Sequence, residues 1–312
     1  MRIGIILSLG FASGVEALSL DPAASRRDFV GGAIIGSVAS AIGAQSSWAS
    51  DIIPFCVIGA NGRTGTKCVQ ELLERGLPVR ATSRSGVYNA GSSSNLLIPT
   101  VCDVTQPSTI AEAVQGTRSV IFAASASKQG GTPAQVDSEG LVNVAKACIE
   151  AKVPHLVIVS CGGVTRPDSA VYKFLNLLGG IMEEKIKGED DVRSLYAKTE
   201  GGMTYTVIRP GGLTEEPARG VSAMELNQGD TKSGRISRYD VAKLCVEATL
   251  FPDLTGGSTF ECYDADTGKP LETVGLSNIL KMKTDPSEFV TGYERRGETY
   301  QELFRGLKKD SV

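Results

Sequence analysis

The chain has 312 residues, 41% of them hydrophobic and 21% charged, with a formal net charge of −3. That is enough apolar material for a sizeable core, while the faintly acidic balance and a scattered 6% of aromatics exclude a basic footprint or stacking platform for nucleic acid. Seven cysteines without a C-x-x-C pair read as small core hydrophobes in a reduced setting, and the single histidine, His155, reads as a structural imidazole, which rules out a zinc site or a His-dependent triad.

Residues 1–50 differ from the rest. Met1-Arg2, an apolar run over 3–9 and mostly small residues as far as Ala17 have the layout of a secretory signal, with Val15-Glu16-Ala17 as its cleavage site. Ser25-Arg26-Arg27-Asp28-Phe29-Val30 looks like a twin-arginine motif, and the uncharged run 31–43 leads to the small-x-small site Ser47-Trp48-Ala49. The alternative is a membrane anchor over 29–43, but about 15 residues rich in Gly, Ala and Ser are short and weakly apolar for a span. Removal of the leader would leave about 260 residues, which suits one large α/β domain better than two small ones.

The next element is the most informative. Residues 52–58 form an apolar strand that runs through Gly59, Gly62 and Gly65 into a helix with an apolar stripe at Val69, Leu72 and Leu73, closed by Arg75-Gly76 and followed by a second strand over 78–84. Glycines at this spacing permit a tight turn, let backbone N–H groups approach a pyrophosphate, and allow the helix to pack closely on its strand. The helix N-terminus then faces the anion. A glycine-rich turn without a ligand is the bland alternative. At the end of the second strand an acidic residue would bind the ribose hydroxyls of NAD; none stands there. The strand ends in Ser83-Arg84-Ser85 and Arg63 lies inside the turn, so two guanidinium groups could close on a 2′-phosphate, each contact contributing on the order of 1.5–3 kcal/mol. NADP(H) is therefore expected ahead of NAD(H), unless Arg84 is a solvated strand-end charge.

A third strand over 95–104 ends in Asp103-Val104 and precedes a helix over 107–114. Asp103 either accepts from an adenine amine, with Val104 packed on the ring, or serves as a helix-entry residue. A fourth strand over 119–127 opens into Ala123, Ala124 and Ser125, small enough for backbone to approach a cofactor, and the loop 128–133 follows on the ligand side. An amphipathic helix over 136–151 turns Leu141, Val144, Ala145 and Cys148 inward; the fifth strand, 156–159, ends in Ser160-Cys161-Gly162-Gly163. A long helix over 181–195, a sixth strand over 205–213 that turns sharply at Pro210-Gly211, a helix at 240–245 and a last strand at 259–262 continue the alternation. Regular βα alternation predicts an α/β Rossmann fold, a doubly wound parallel sheet with helices on both faces and its crevice at the strand C-terminal ends. The expected division is a presequence (1–50), a dinucleotide-binding domain (51–265) and a helical tail (266–312), in which 286–307 is either a capping helix or a docking element.

With the glycine turn, Val136-Asp137-x-x-Gly140-x-x-Asn143, Val157-Ile158-Val159-Ser160-Cys161 and Ile208-Arg209-Pro210-Gly211-Gly212-Leu213 in view, residues 52–262 resemble the atypical short-chain dehydrogenase/reductases, most of all the plant and cyanobacterial NmrA-like NAD(P)-binding proteins. The resemblance implies a cofactor site lined by Gly59, Asn61, Gly62, Arg63, Thr64, Gly65, Arg84, Asp103, Val104, Ala123, Ala124 and Ser125, with Lys185, Pro210 and Gly211 added to that set. Active members of the superfamily use Ser, Tyr and Lys, the last two as Y-x-x-x-K on one helix face, where the lysine lowers the phenol's pKa and binds the ribose. Lys185 fits the lysine, but Ile181 stands four residues before it, and Tyr172 has Asn176 at its own x-x-x-K position. Ser160 or Cys161 fits the serine. The catalytic candidates are thus Ser160, Cys161 and Lys185, unless Lys185 belongs to a solvated run over 183–187.

Two functions remain open: an NADP-dependent oxidoreductase acting on a small organic substrate with a nonstandard acid group, and a non-catalytic NADP(H)-binding, redox-sensing module in a protein complex. A nucleotide-sugar epimerase ranks third, because it too needs the missing tyrosine. The tandem leaders resemble the presequences of complex plastids, which implies a plastid location, in the stroma or the thylakoid lumen. No nucleic acid partner and no membrane span in the mature chain are expected; the tail is the candidate contact for a protein partner.

Overall fold

The computed structural model describes residues 53–127, 130–177, 179–273 and 290–311. The expected presequence lies outside them, as do residues 128–129 of the ligand-side loop and 286–289 of the tail element. In chain order the elements are β1 (Phe55–Ile58), α1 (Arg63–Glu74), β2 (Val79–Ser83), β3 (Leu97–Val101), α2 (Pro107–Val114), β4 (Ser119–Phe122), a π-helical turn (Ala134–Ser138), α3 (Glu139–Glu150), β5 (His155–Val159), α4 (Ala170–Asn176) and α5 (Ile181–Tyr196). There follow β6 (Thr204–Pro210), β7 (Gly212–Thr214), β8 (Met224–Asn227), β9 (Lys232–Ser233), β10 (Arg235–Ser237), α6 (Arg238–Leu250), α7 (Pro252–Thr255), β11 (Ser258–Asp264), β12 (Lys269–Pro270) and α8 (Tyr300–Phe304).

Strand order in the main sheet is β3-β2-β1-β4-β5-β6-β11-β8. All neighbours run parallel except β8, which closes the edge antiparallel to β11. Alternation along β1 sends Phe55 and Val57 to one face, Cys56 and Ile58 to the other, and all four are buried. The first face packs against α1 and α6 through Cys68, Val69, Leu72, Val241, Leu244 and Cys245. The second packs against α2, α3 and α5 through Ile110, Leu141, Val144, Cys148, Val192 and Tyr196. This is the doubly wound Rossmann sheet, and the direction of strand progression reverses between β1 and β4, where a crevice must open above the strand ends.

The structure departs from the sequence reading at the start of α3 and at the end of the sixth strand. The helix expected from 136 begins instead with the π turn, the sixth strand breaks at Gly211, and β7 leaves the sheet to pair with β10. The tail is less superficial than its polar composition suggests: Leu303 and Phe304 of α8 are fully buried in the first face's core, where Phe304 packs against Phe260. Beyond α8, the Asp310 carboxylate accepts from Thr259 N (3.0 Å) and Oγ1 (2.7 Å), Tyr205 Oη (2.9 Å) and Arg193 Nε (3.2 Å). That portion of the tail is part of the fold. Six of the cysteines are buried and Cys161 partly so, all as free thiols. His155 is buried, its Nε2 is 2.8 Å from Thr206 Oγ1, and burial together with Lys309 holds its pKa down at about 3.

Candidate cofactor cleft and substrate pocket

The turn after β1 is built by close backbone approach. Gly59 has φ of +82°, in the left-handed region, and a Cβ there would stand 2.8 Å from the backbone nitrogen of Ala124 at the exit of β4. A Cβ at Gly65 would stand 2.1 Å from the Gly59 carbonyl oxygen, so α1 starts hard against the turn. The N-cap, Gly62, has no side-chain acceptor for the first-turn N–H groups, which leaves that helix end suited to an anion. In front lies a cleft of about 620 Å³ lined by Gly59, Asn61, Gly62 and Arg63 from the turn, Ser83, Arg84 and Ser85 from the end of β2, Asp103 and Val104 after β3, and Ala123, Ala124 and Ser125 after β4. A turn so tightly packed that Cβ atoms at 59 and 65 would strike backbone, set before an uncapped helix end and opening on this cleft, fits a pyrophosphate.

Not every expected residue faces that cleft. Thr64 and Gly65 are buried beneath the turn, while Pro210 and Gly211 line a second pocket. Asn61 spends its amide on the loop after β2, donating to Val87 O and accepting from Asn89 N at 2.8 Å each. Asp103 lines the cleft and accepts from Thr105 N (3.0 Å) and Oγ1 (2.8 Å), an Asx turn that ends before Gln106, the N-cap of α2. Arg63 is mostly exposed, 3.7 Å from an exposed Glu215, a pairing of little energetic weight.

Lys185 lies in neither lining. Its Nζ sits 2.8 Å from Asp137 Oδ1 with the side chain 12% exposed, so it does not belong to the solvated run. Asp137, in the π turn, also accepts from Ser125 Oγ (2.7 Å) and Ala126 N (2.8 Å), which ties α5 to the cleft wall after β4. Two local features make this possible. The widened π turn reorients Asp137 relative to an α-helical start, and Gly188, one turn along α5 from Lys185, packs so closely that its Cβ would lie 2.5 Å from Asp137 O.

The second pocket, about 250 Å³, stands over the ends of β5 and β6 and is lined by Ser160, Cys161, Val171, Phe174, Leu175, Pro210, Gly211 and Leu213, with Ser233, Arg235, Thr267 and Lys269 on the far side. Ser160 Oγ donates to Glu189 Oε1 at 2.5 Å, and the Glu189 carboxylate also accepts from Arg209 Nη2 (2.6 Å) and Arg193 Nη2 (2.8 Å). Burial pushes the Glu189 carboxyl up, but Arg209, Arg193 and Ser160 together outweigh it and hold the group below the ordinary 4.5. Arg209 also meets Glu261 at 3.4 Å; burial first and the Asp230 carboxylate second push Glu261 up to about 8. Asp230 fastens the loop after β5, accepting from Gly163 N (2.6 Å) and from Thr165 N and Oγ1 (2.9 Å each).

Cys161 is pushed up to about 11 by burial, with Lys185 only partly opposing, so it is a neutral thiol at physiological pH rather than a nucleophile. Tyr172 is buried in a small apolar cluster with Val164 and Met182. Arg193, Arg209, Asp230 and Glu261 escaped the sequence reading. The available signal was Arg209 and Glu261, each a charge within a buried strand, and the register sets them directly opposite one another on β6 and β11.

Among the described residues no helix is long and apolar enough to cross a membrane. A family profile described as NAD(P)H-binding matches residues 59–252. The chain is 34% identical to the uncharacterized chloroplastic protein At2g34460 of Arabidopsis thaliana over 62% of this chain and 71% of that one. It is 28% identical to the chloroplastic protein TIC 62 of Pisum sativum, covering 77% of this chain but 48% of the pea protein, and 28% identical to sanguinarine reductase of Eschscholzia californica, covering 73% and 95% respectively. Among solved structures, a short-chain dehydrogenase/reductase of Veillonella parvula in complex with NADP shares the fold with a TM-score of 0.56 at 17% identity, over 69% of this chain and 96% of that one. The profile spans more than half of the chain and contains the glycine turn, the π turn and the β5 and β6 tips; the chain belongs to the NAD(P)H-binding family, within the atypical short-chain dehydrogenase/reductases.

Proposed function

We propose that this protein is a plastid NADP(H)-dependent oxidoreductase of NmrA-like type that acts on a small organic substrate. The observation that carries the reading is adjacency: the glycine-turn cleft ends at the tip of β4, and the pocket holding Ser160 begins at the tip of its neighbour β5. Bound at the first, a nicotinamide supplies or accepts a hydride. The chain's own residues do the rest. Gly59, Gly62 and Gly65 admit the pyrophosphate, Arg84 and Arg63 favour a 2′-phosphate where no carboxylate stands at the end of β2, and the Asp137-oriented Lys185 serves the ribose. Ser160, which donates its own proton to Glu189, offers oxygen lone pairs to a substrate hydroxyl. Cys161 supplies a neutral thiol beside it.

A second reading, a non-catalytic NADP(H)-sensing module, draws support from Ile181 four residues before Lys185 and from Tyr172, buried in its apolar cluster. Chloroplastic relatives and the tandem leader support the plastid location, stroma or lumen, and sequencing the mature N-terminus tests it. For the cofactor, fluorescence titration of wild type and Arg84→Ala with NADPH and NADH is decisive: we expect NADPH to bind more tightly and the substitution to weaken NADPH alone by about tenfold, on the order of 1.4 kcal/mol. NADPH oxidation across quinones, aldehydes and ketones then separates the readings. Tight binding without turnover selects the sensor, and no binding of either coenzyme overturns both.

A further inference from the structure

Hydrogen bonds to Glu189 give the pocket over β5 and β6 a definite polarity. The carboxylate is shared unequally. Its Oε2 takes the guanidinium groups, Arg209 Nη2 at 2.6 Å and Nε at 3.2 Å and Arg193 Nη2 at 2.8 Å, while its Oε1 takes Ser160 Oγ at 2.5 Å, with Arg209 Nε a longer 3.4 Å away. Burial works against the charge, but Arg209, Arg193 and Ser160 together keep the carboxyl below 4.5, so at pH 7 it is an anion and can only accept. A hydroxyl has one proton and two lone pairs. With its proton committed to Glu189, Ser160 presents lone pairs to a ligand.

The groups that set this polarity are held in place. Arg193 donates to Asp190 (2.7 Å), Asp310 (3.2 Å) and Thr259 Oγ1 (2.8 Å) as well as to Glu189. Ser160 N donates to Ile208 O at 2.8 Å and Gly162 N to Pro210 O at 2.9 Å, which laces the segment carrying Ser160 to β6. The rest of the pocket suits a ring. Val171, Leu175, Pro210 and Leu213 line it, with Phe174 half-exposed at the edge, and its volume of about 250 Å³ exceeds the roughly 150 Å³ of an apolar cavity that holds benzene. Arg235 and Lys269, in the same lining, carry donors only, so a preference for a hydroxyl-bearing ligand cannot come from them.

We propose that Glu189 is the specificity-determining residue of this pocket: by holding the Ser160 proton it makes the β5 end an acceptor, so the pocket takes a neutral ring alcohol, whose hydroxyl donates to Ser160, ahead of the corresponding ketone. The proposal rests on the reading of this pocket as the substrate side of the cofactor cleft. Glu189→Gln should invert the preference. The two arginines draw the amide oxygen to the Oε2 position, which leaves the amide nitrogen facing Ser160; it donates to the serine oxygen, and the serine proton turns to the ligand. Calorimetric titration of the purified, unliganded protein at pH 7 with α-tetralol, its methyl ether and α-tetralone tests this. In wild type the alcohol is expected to bind about tenfold tighter than the ether or the ketone. Ser160→Ala should bring alcohol and ketone to equal affinity, and Glu189→Gln should favour the ketone, a reversal that a merely structural role for Glu189 would not produce. Equal affinity for alcohol and ketone in wild type, a preference that survives Ser160→Ala, an unchanged order in folded Glu189→Gln, or failure of all three compounds to bind overturns the proposal. Melting temperatures report the folding of each variant, and should the glutamine variant not fold, the wild-type and Ser160→Ala ratios still decide whether Ser160 acts as the acceptor. NADPH titration is read separately: its failure refutes the cofactor reading, while the alcohol-to-ketone ratio decides the pocket.

Discussion

Replacing Glu189 with Gln probes the centre of the molecule's charge design. Glu189 is fully buried and accepts charge-assisted or hydroxyl bonds from three side chains, Arg209, Arg193 and Ser160. Glutamine keeps the shape but removes the charge. Arg193 would still have Asp190 at 2.7 Å and Asp310 at 3.2 Å, whereas among the described residues Arg209 would keep Glu261 alone, at 3.4 Å, a carboxyl pushed up to about 8 by burial and therefore largely neutral at pH 7. Removing one partner of a buried pair costs about 3–5 kcal/mol, and since glutamine retains an acceptor oxygen the lower figure, about 3 kcal/mol, is expected. For a domain of this size that lowers the melting temperature by roughly 6–12 °C. Ser160→Ala, which removes a donor but leaves both arginines matched, should cost only about 1 kcal/mol. Because the Glu189 carboxyl sits below 4.5 in the folded protein, its contribution is complete above pH 4.5 and fades as pH falls through the depressed value, so the gap between wild type and variant should narrow only in acid. Urea denaturation at pH 7 and pH 4 measures both quantities. A loss below about 1 kcal/mol at pH 7, or one equal to that of Ser160→Ala, would refute the argument that Arg209 depends on this charge.

Gly65→Ala places a Cβ 2.1 Å from the Gly59 carbonyl oxygen and 2.9 Å from its carbon, both backbone atoms that cannot rotate away. We expect destabilisation of about 1–3 kcal/mol and a large loss of NADPH affinity; wild-type binding in this variant would show that the turn tolerates displacement. Glu261 carries the opposite pH dependence to Glu189. With its carboxyl raised to about 8 from an ordinary 4.5, its effect on stability is most favourable below pH 4.5 and is lost as pH rises to 8. Glu261→Gln should therefore gain stability relative to wild type between pH 5 and pH 8, read from urea midpoints, and a constant difference across that range would contradict the shift.

Local chemistry was legible in the sequence, whereas contacts set by tertiary register were not. The strand, glycine turn and helix from Phe55 to Glu74 announce themselves because each glycine has a steric task at a fixed spacing, and α2 begins at Pro107, which needs no N–H there. The Asp137–Lys185 pair left no such trace. It depends on a single widened turn, which changes no residue, and on Gly188, whose importance shows only when α5 meets the π turn. Cross-strand pairing of Arg209 with Glu261 likewise appears only once β6 and β11 are in register. Short α8 carries too few residues to show a period, so Leu303 and Phe304 look like surface positions until the sheet face is there to receive them.

The seating of Asp310 bears on how this molecule can be dissected. Arg193 is gripped from one side by that aspartate and from the other by Glu189, while Phe304 covers Phe260 on the opposite face of the sheet. A clone cut at residue 265, the boundary that composition recommends, would shed the plug from one face and the clasp from the other, and so would yield an aggregation-prone torso instead of a minimal nucleotide-binding unit. Expression designs and fusion partners should leave residues 290–311 in place.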